Sequence, residues 1–135
     1  MNVGPLLQHG GIRLSAGRAQ PLPYWNAAVP TLCTVPLKQH VGKPATALVK
    51  RGDTVREGML IARSPEMRIH APIPGIVRDI APVRTYDGFN TQAIVIELNG
   101  EFDRLGKQEG EHSWRNHSPE QLRKALLDRG VVGMG

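Results

Sequence analysis

Cysteine is almost absent from this sequence. Cys33 stands alone, so the chain can form no internal disulfide and cannot assemble a multi-cysteine metal site. A reducing compartment is the simplest fit. Aromatics are scarce too, with two each of Trp, Tyr and Phe, so the core is expected to be built from Val, Ile, Leu and Ala. No apolar run approaches the eighteen residues of a membrane-spanning helix. The N-terminus lacks a charged segment followed by an apolar one, so no signal peptide is read there. Blocks of like charge are missing as well. The net charge is +5 with a pI near 9.9, yet the basic residues are scattered and few aromatics lie between them to stack on bases. A solvated basic surface is therefore expected, and no nucleic-acid partner.

What the chain has in quantity is punctuation. Fifteen glycines and eleven prolines in 135 residues favour short strands and turns over long helices. Residues 1–33, with "GGIRLSAG" and "PLPYW", lack periodicity and suggest an extended arm laid across another surface. From Thr34 the pattern changes to "TVPL", "TALVK", "MLIAR", "MRIHA", "GIVRDI" and "QAIVIEL", each a strand of four to seven residues. Gly52-Asp53 and Glu57-Gly58 bracket "TVRE" as turns, and Pro72, Pro74 and Gly75 set a bend. Residues 34–98 thus form an all-β domain, a small sandwich or barrel. Residues 99–117 are polar and aperiodic, a connector. Residues 118–135 open with a helix. Ser118 is its N-cap, Pro119 its first residue, Gln121 completes a capping box, and Gly130 ends it. Leu122, Ala125, Leu126 and Arg129 share one face. The final "VVGMG" has no cap and suggests a cut within a longer protein.

Candidate chemistry is sparse. His9, His40, His70, His112 and His117 show no H-x-x-x-H spacing. Cys33, in "PTLCTVP", reads as a small buried hydrophobe rather than a reactive thiol. Met59 and Met67 read as core or tip packing. His40 and His70 each border a strand and could meet in space as a phosphate-carrying pair. The simpler expectation is that their ring nitrogens bond backbone carbonyls in turns.

Two segments carry a resemblance. "ALVKRGDTVREGMLIAR" and "HAPIPGIVRDIAPVR" each lead a strand through a glycine turn into another apolar strand. In this order they resemble the two halves of a biotinyl/lipoyl domain, which implies a barrel-sandwich hybrid: two small antiparallel sheets folded over each other. Carrier domains attach their cofactor to a tip lysine. Here the tip is Ser64-Pro65-Glu66-Met67-Arg68, and an arginine cannot form that amide. The resemblance thus implies the fold without the carrier function, with a carrier or histidine phosphotransfer module as the alternative.

Over nearly its whole length the chain also resembles the N-terminal region of the RnfC subunit of the Rnf ion-translocating electron-transport complex. "GGIRLSAG", "PLKQHVG-x-P" (Pro36–Pro44), "IHAPIPGIV" and "GVVGMG" carry the likeness. It implies a longer subunit on the cytoplasmic face of the bacterial inner membrane, bound peripherally to other Rnf subunits. That subunit would pass electrons between NADH and ferredoxin through FMN and [4Fe–4S] clusters in downstream domains. In that reading Gly133 and Gly135 begin an incomplete flavin- and NADH-binding glycine motif. The chain itself carries no catalytic residue, metal site or cofactor. A four-thiolate cluster cannot be built from Cys33 alone.

Overall fold

The computed structural model describes residues 23–85, 88–102 and 114–133. Residues 1–22 of the arm, most of the connector, His9, His112 and Gly135 lie outside these. Short apolar runs cut by glycine and proline turns give seven antiparallel strands. These are β1 (Leu32–Pro36), β2 (Thr46–Ala47), β3 (Thr54–Val55), β4 (Leu60–Arg63), β5 (Arg68–His70), β6 (Gly75–Arg84) and β7 (Asn90–Leu98). They make a four-stranded sheet in the order β1-β7-β6-β3 and a three-stranded sheet in the order β2-β4-β5. The only described helix of more than one turn is α1 (Pro119–Asp128), preceded by a 3-10 turn at Trp114–Asn116.

Three details of the strands depart from the sequence expectations. The first strand begins at Leu32, two residues before the anticipated start. Thr54–Val55, expected within a turn, pairs with Ile76 and Gly75 as β3. A two-residue strand has no periodicity to reveal it. β6 runs past Ile80 through Pro82 to Arg84. Proline is tolerated there because β3 covers only the first two residues of β6, leaving the remainder an edge that needs no N–H on its outer side.

The two sheets close over an aliphatic core. Val35, Val55, Val77, Ile94 and Ile96 come from the larger sheet, Ile61, Ala62 and Ile69 from the smaller. Each fully buried Ile or Val contributes about 1.5–3 kcal/mol of hydrophobic stabilisation. No described aromatic takes part. Tyr24, Trp25, Phe89, Phe102 and Trp114 all lie on the surface.

α1 begins with the expected capping box. The Gln121 N–H donates to Ser118 Oγ (3.2 Å), and the Ser118 N–H donates to Gln121 Oε1 (2.8 Å). At its other end the Gly130 N–H donates to Leu127 O and the Val131 N–H to Leu126 O, a Schellman closure. Gly130, at φ +74°, sits so close to β5 that a Cβ would lie 2.6 Å from Arg68 O. Val132 then packs against the core. The face turned inward differs from the one expected: Leu122, Ala125 and Leu127 are half-buried, while Leu126 and Arg129 are exposed. The helix docks through its C-terminal end rather than along its length, which moves the covered stripe.

Candidate functional site

The β4–β5 hairpin is where a carrier domain would hold its lysine. Arg63 pairs with Arg68, the Ser64 N–H donates to Met67 O (2.9 Å), and Pro65 and Glu66 form the tip. No amine stands there. Arg68 Nη1 turns back and donates to Ser64 O (2.6 Å) and Met67 O (3.2 Å), tying the base of the tip to itself. Met67 is buried in the core, as one of its two expected roles requires, whereas Met59 is 39% exposed and not part of it. A bulge at Ile61 shifts the register between Leu60↔His70 and Ala62↔Ile69. It sets Ile61 and Ala62 both inward and lets the outer face of the hairpin carry its charges.

His40 and His70 have different surroundings. His40 is buried at 8% exposure, and neither ring nitrogen has a hydrogen-bond partner. Its Nε2 lies 3.7 Å from the Glu66 carboxylate at the hairpin tip. The expected bond to a backbone carbonyl is absent because the loop after β1 folds the ring beneath the tip instead of onto its own turn. A phosphoryl acceptor has to be reachable, and this ring is not. His70 instead faces the helix end, where a Cβ on Gly130 would stand 3.4 Å from its Nδ1.

His70 and Cys33 line a hollow of about 330 Å3 beside Gly130. Burial pushes the Cys33 thiol up, so the thiolate is disfavoured and the side chain behaves as a packed hydrophobe. Burial, and then the charge of Arg68, push His70 below its ordinary range and favour the neutral ring. Among the described residues, no group of three His, Cys, Asp or Glu side chains is placed to hold a metal ion.

Gly133 is exposed, with nothing within 4 Å of where its Cβ would stand. A phosphate cradle needs convergent backbone N–H groups, which a glycine turn supplies together with the segment that follows it. Sequence reasoning missed the His40–Glu66 approach and the facing of Arg63 and Arg68. Both depend on pairing between segments, and neither has a local signal. No described helix is long and apolar enough to cross a membrane.

Residues 6–101 match the RnfC barrel sandwich hybrid domain. The C subunit of the proton-translocating ferredoxin:NAD(+) oxidoreductase complex of Clostridium ljungdahlii is 34% identical over 113 residues, covering 81% of this chain and 24% of that protein. The C subunit of the ion-translocating oxidoreductase complex of Salmonella arizonae is 34% identical over 105 residues, covering 75% of this chain and 16% of the relative. Its Salmonella gallinarum counterpart is 35% identical over the same length. The chain thus spans a quarter or less of the relatives it matches, in their N-terminal region. With a mainly β fold of two antiparallel sheets and one C-terminal helix, and a family match across most of its length, the chain belongs to the RnfC barrel sandwich hybrid family.

Proposed function

We propose that this chain is an interaction and positioning module of an RnfC-type subunit, without catalysis of its own. One observation carries the reading: the hairpin tip that would bear a swinging arm has no amine, and its arginine is taken up by the turn's own carbonyls. A fold stripped of its carrier chemistry is left with its surface. That surface holds every described aromatic, the residue class most enriched where proteins meet. Other subunits of the ion-translocating complex are the proposed partners, with the module peripheral on the cytoplasmic face of the cell membrane.

In the same reading, electrons pass between NADH and ferredoxin through FMN and [4Fe–4S] clusters held by other parts of the subunit. The residues here do not fit a cluster, since one thiol cannot replace four. Gly133 and Gly135 would contribute to a flavin and NADH turn only together with chain that follows them. The phosphotransfer alternative finds no support in a buried His40 facing a carboxylate.

Deleting residues 1–101 from the full-length subunit tests the proposal. Assembly with the other subunits should fail, while NADH oxidation by a soluble acceptor on the isolated subunit persists. An intact complex without the domain would refute it. Intact mass after coexpression with biotin and lipoate ligases should equal that of the bare chain, and an added biotinyl or lipoyl mass would restore the carrier alternative.

A further inference from the structure

The outer face of the small sheet has an arrangement that costs stability. Arg63 stands directly opposite Arg68 in the β4–β5 register, and like charges in that position repel. Lys43 joins them along one open trough of about 640 Å3, whose remaining walls include Pro44, Leu48 and Pro65. No carboxylate lines the trough. Among the described residues, Lys43 and Arg63 form no ion pair. The nearest acidic side chain of the hairpin, Glu66, approaches His40 instead. β2, which supplies Thr46 to the wall, is an outer strand of its sheet.

We propose that this trough docks an acidic, extended segment of a partner protein, an inference that rests on reading the domain as an interaction module. Charge decides the sign of the partner: no carboxylate lines the trough, Lys43 and Arg63 have no counter-charge among the described residues, and the Arg63 guanidinium offers a forked donor to a carboxylate. Shape decides its form. An open trough beside an outer strand, walled by prolines and a leucine, suits an extended chain with apolar groups between its acids. A second copy of this chain is disfavoured by its own charge of +5. Nucleic acid is disfavoured because no aromatic lines the trough to stack a base.

Zero-length carbodiimide cross-linking of the assembled complex tests the docking, since it joins a lysine amine only to a carboxylate in direct contact. Lys43 of the full-length subunit should link to an Asp or Glu of another subunit, and Lys43→Arg should abolish that link while assembly persists. Arg63→Glu should weaken association about tenfold. The same substitution should raise the melting midpoint of the chain, because it turns a repulsive cross-strand pair into an attractive one. Weaker association with higher stability separates a lost contact from a damaged fold.

If assembly requires the domain but Lys43 links to no other subunit, this face is wrong and the module reading survives. If assembly does not require the domain, the module reading itself fails and this one with it. Retention of the chain on phosphatidylglycerol vesicles, lost in Arg63→Glu and without a protein cross-link, would overturn the proposal in favour of a lipid surface.

Discussion

A Cβ placed on Gly75 would collide with the backbone carbonyl of Glu97. β6 begins at this glycine, pairing Gly75 with Leu98 and Ile76 with Glu97, and the two backbones approach more closely than any side chain permits. The obstacle is main chain, so it cannot swing aside as a flexible side chain would. Gly75→Ala should cost about 1–3 kcal/mol, the usual penalty of overpacking. Gly133→Ala meets open space and should stay within about 0.5 kcal/mol of the parent. Urea midpoints of the two variants check both. Equal midpoints would mean that β6 does not pass β7 so closely in solution.

Features written in consecutive residues were legible in advance. Ser118 and Gln121 announce their capping box, Gly130 its helix stop, and the "AP-x-x-G" bend its close approach, because each mechanism acts within a few residues. The aliphatic core was legible because so few aromatics were available to build another. The inward stripe of α1 was not, since it depends on the angle at which the helix end meets β5. Nor was the burial of His40 under the hairpin tip. That proximity joins residues 26 positions apart, and only the folded pairing brings them together.

Gly130 fastens the helix to the sheet. Its φ of +74° is strained for any side chain, and its Cα faces Arg68 O at a distance no Cβ can share. Gly130→Ala should therefore lift the end of α1 from β5 while leaving both sheets intact. Amide hydrogen exchange should quicken across residues 119–128 and remain slow in β6 and β7. Ser118→Ala, which removes the N-cap at a cost of about 1 kcal/mol, should instead speed exchange at the first turn. Faster exchange across the sheets in Gly130→Ala would show that α1 is part of the core unit rather than docked on it.

The pH dependence of stability carries a contribution from His70. Its folded pKa is lowered, first by burial and then by Arg68, from an ordinary value of 6.5. Above that value both states hold a neutral ring and the contribution is full. As pH falls below 6.5 the unfolded state takes up protons first, so stability declines toward the folded pKa. Asp128 and Glu97, each held low by a hydrogen bond from a basic partner, lose their contributions only further into acid, below ordinary values of 3.8 and 4.5. His70→Gln should flatten the decline that begins at 6.5 and leave the acid limb. An unchanged profile would show that the ring is solvated in the folded chain.

His40 tests whether the ground beneath the hairpin tip is polar by necessity. Both ring nitrogens are buried without a hydrogen-bond partner, and the Glu66 carboxylate at 3.7 Å is too distant to serve as one. A buried polar group in that state costs about 1–3 kcal/mol, and an apolar side chain of similar size removes the cost while keeping the volume. His40→Leu should therefore match or exceed the parent in urea stability. Glu66→Gln, altering an exposed carboxylate, should change stability by less than about 0.5 kcal/mol. A loss of more than about 1 kcal/mol in His40→Leu, on the scale of a broken hydrogen bond, would mean that the ring is satisfied in solution by a water. The polar pair under the tip would then be part of what holds the hairpin in place.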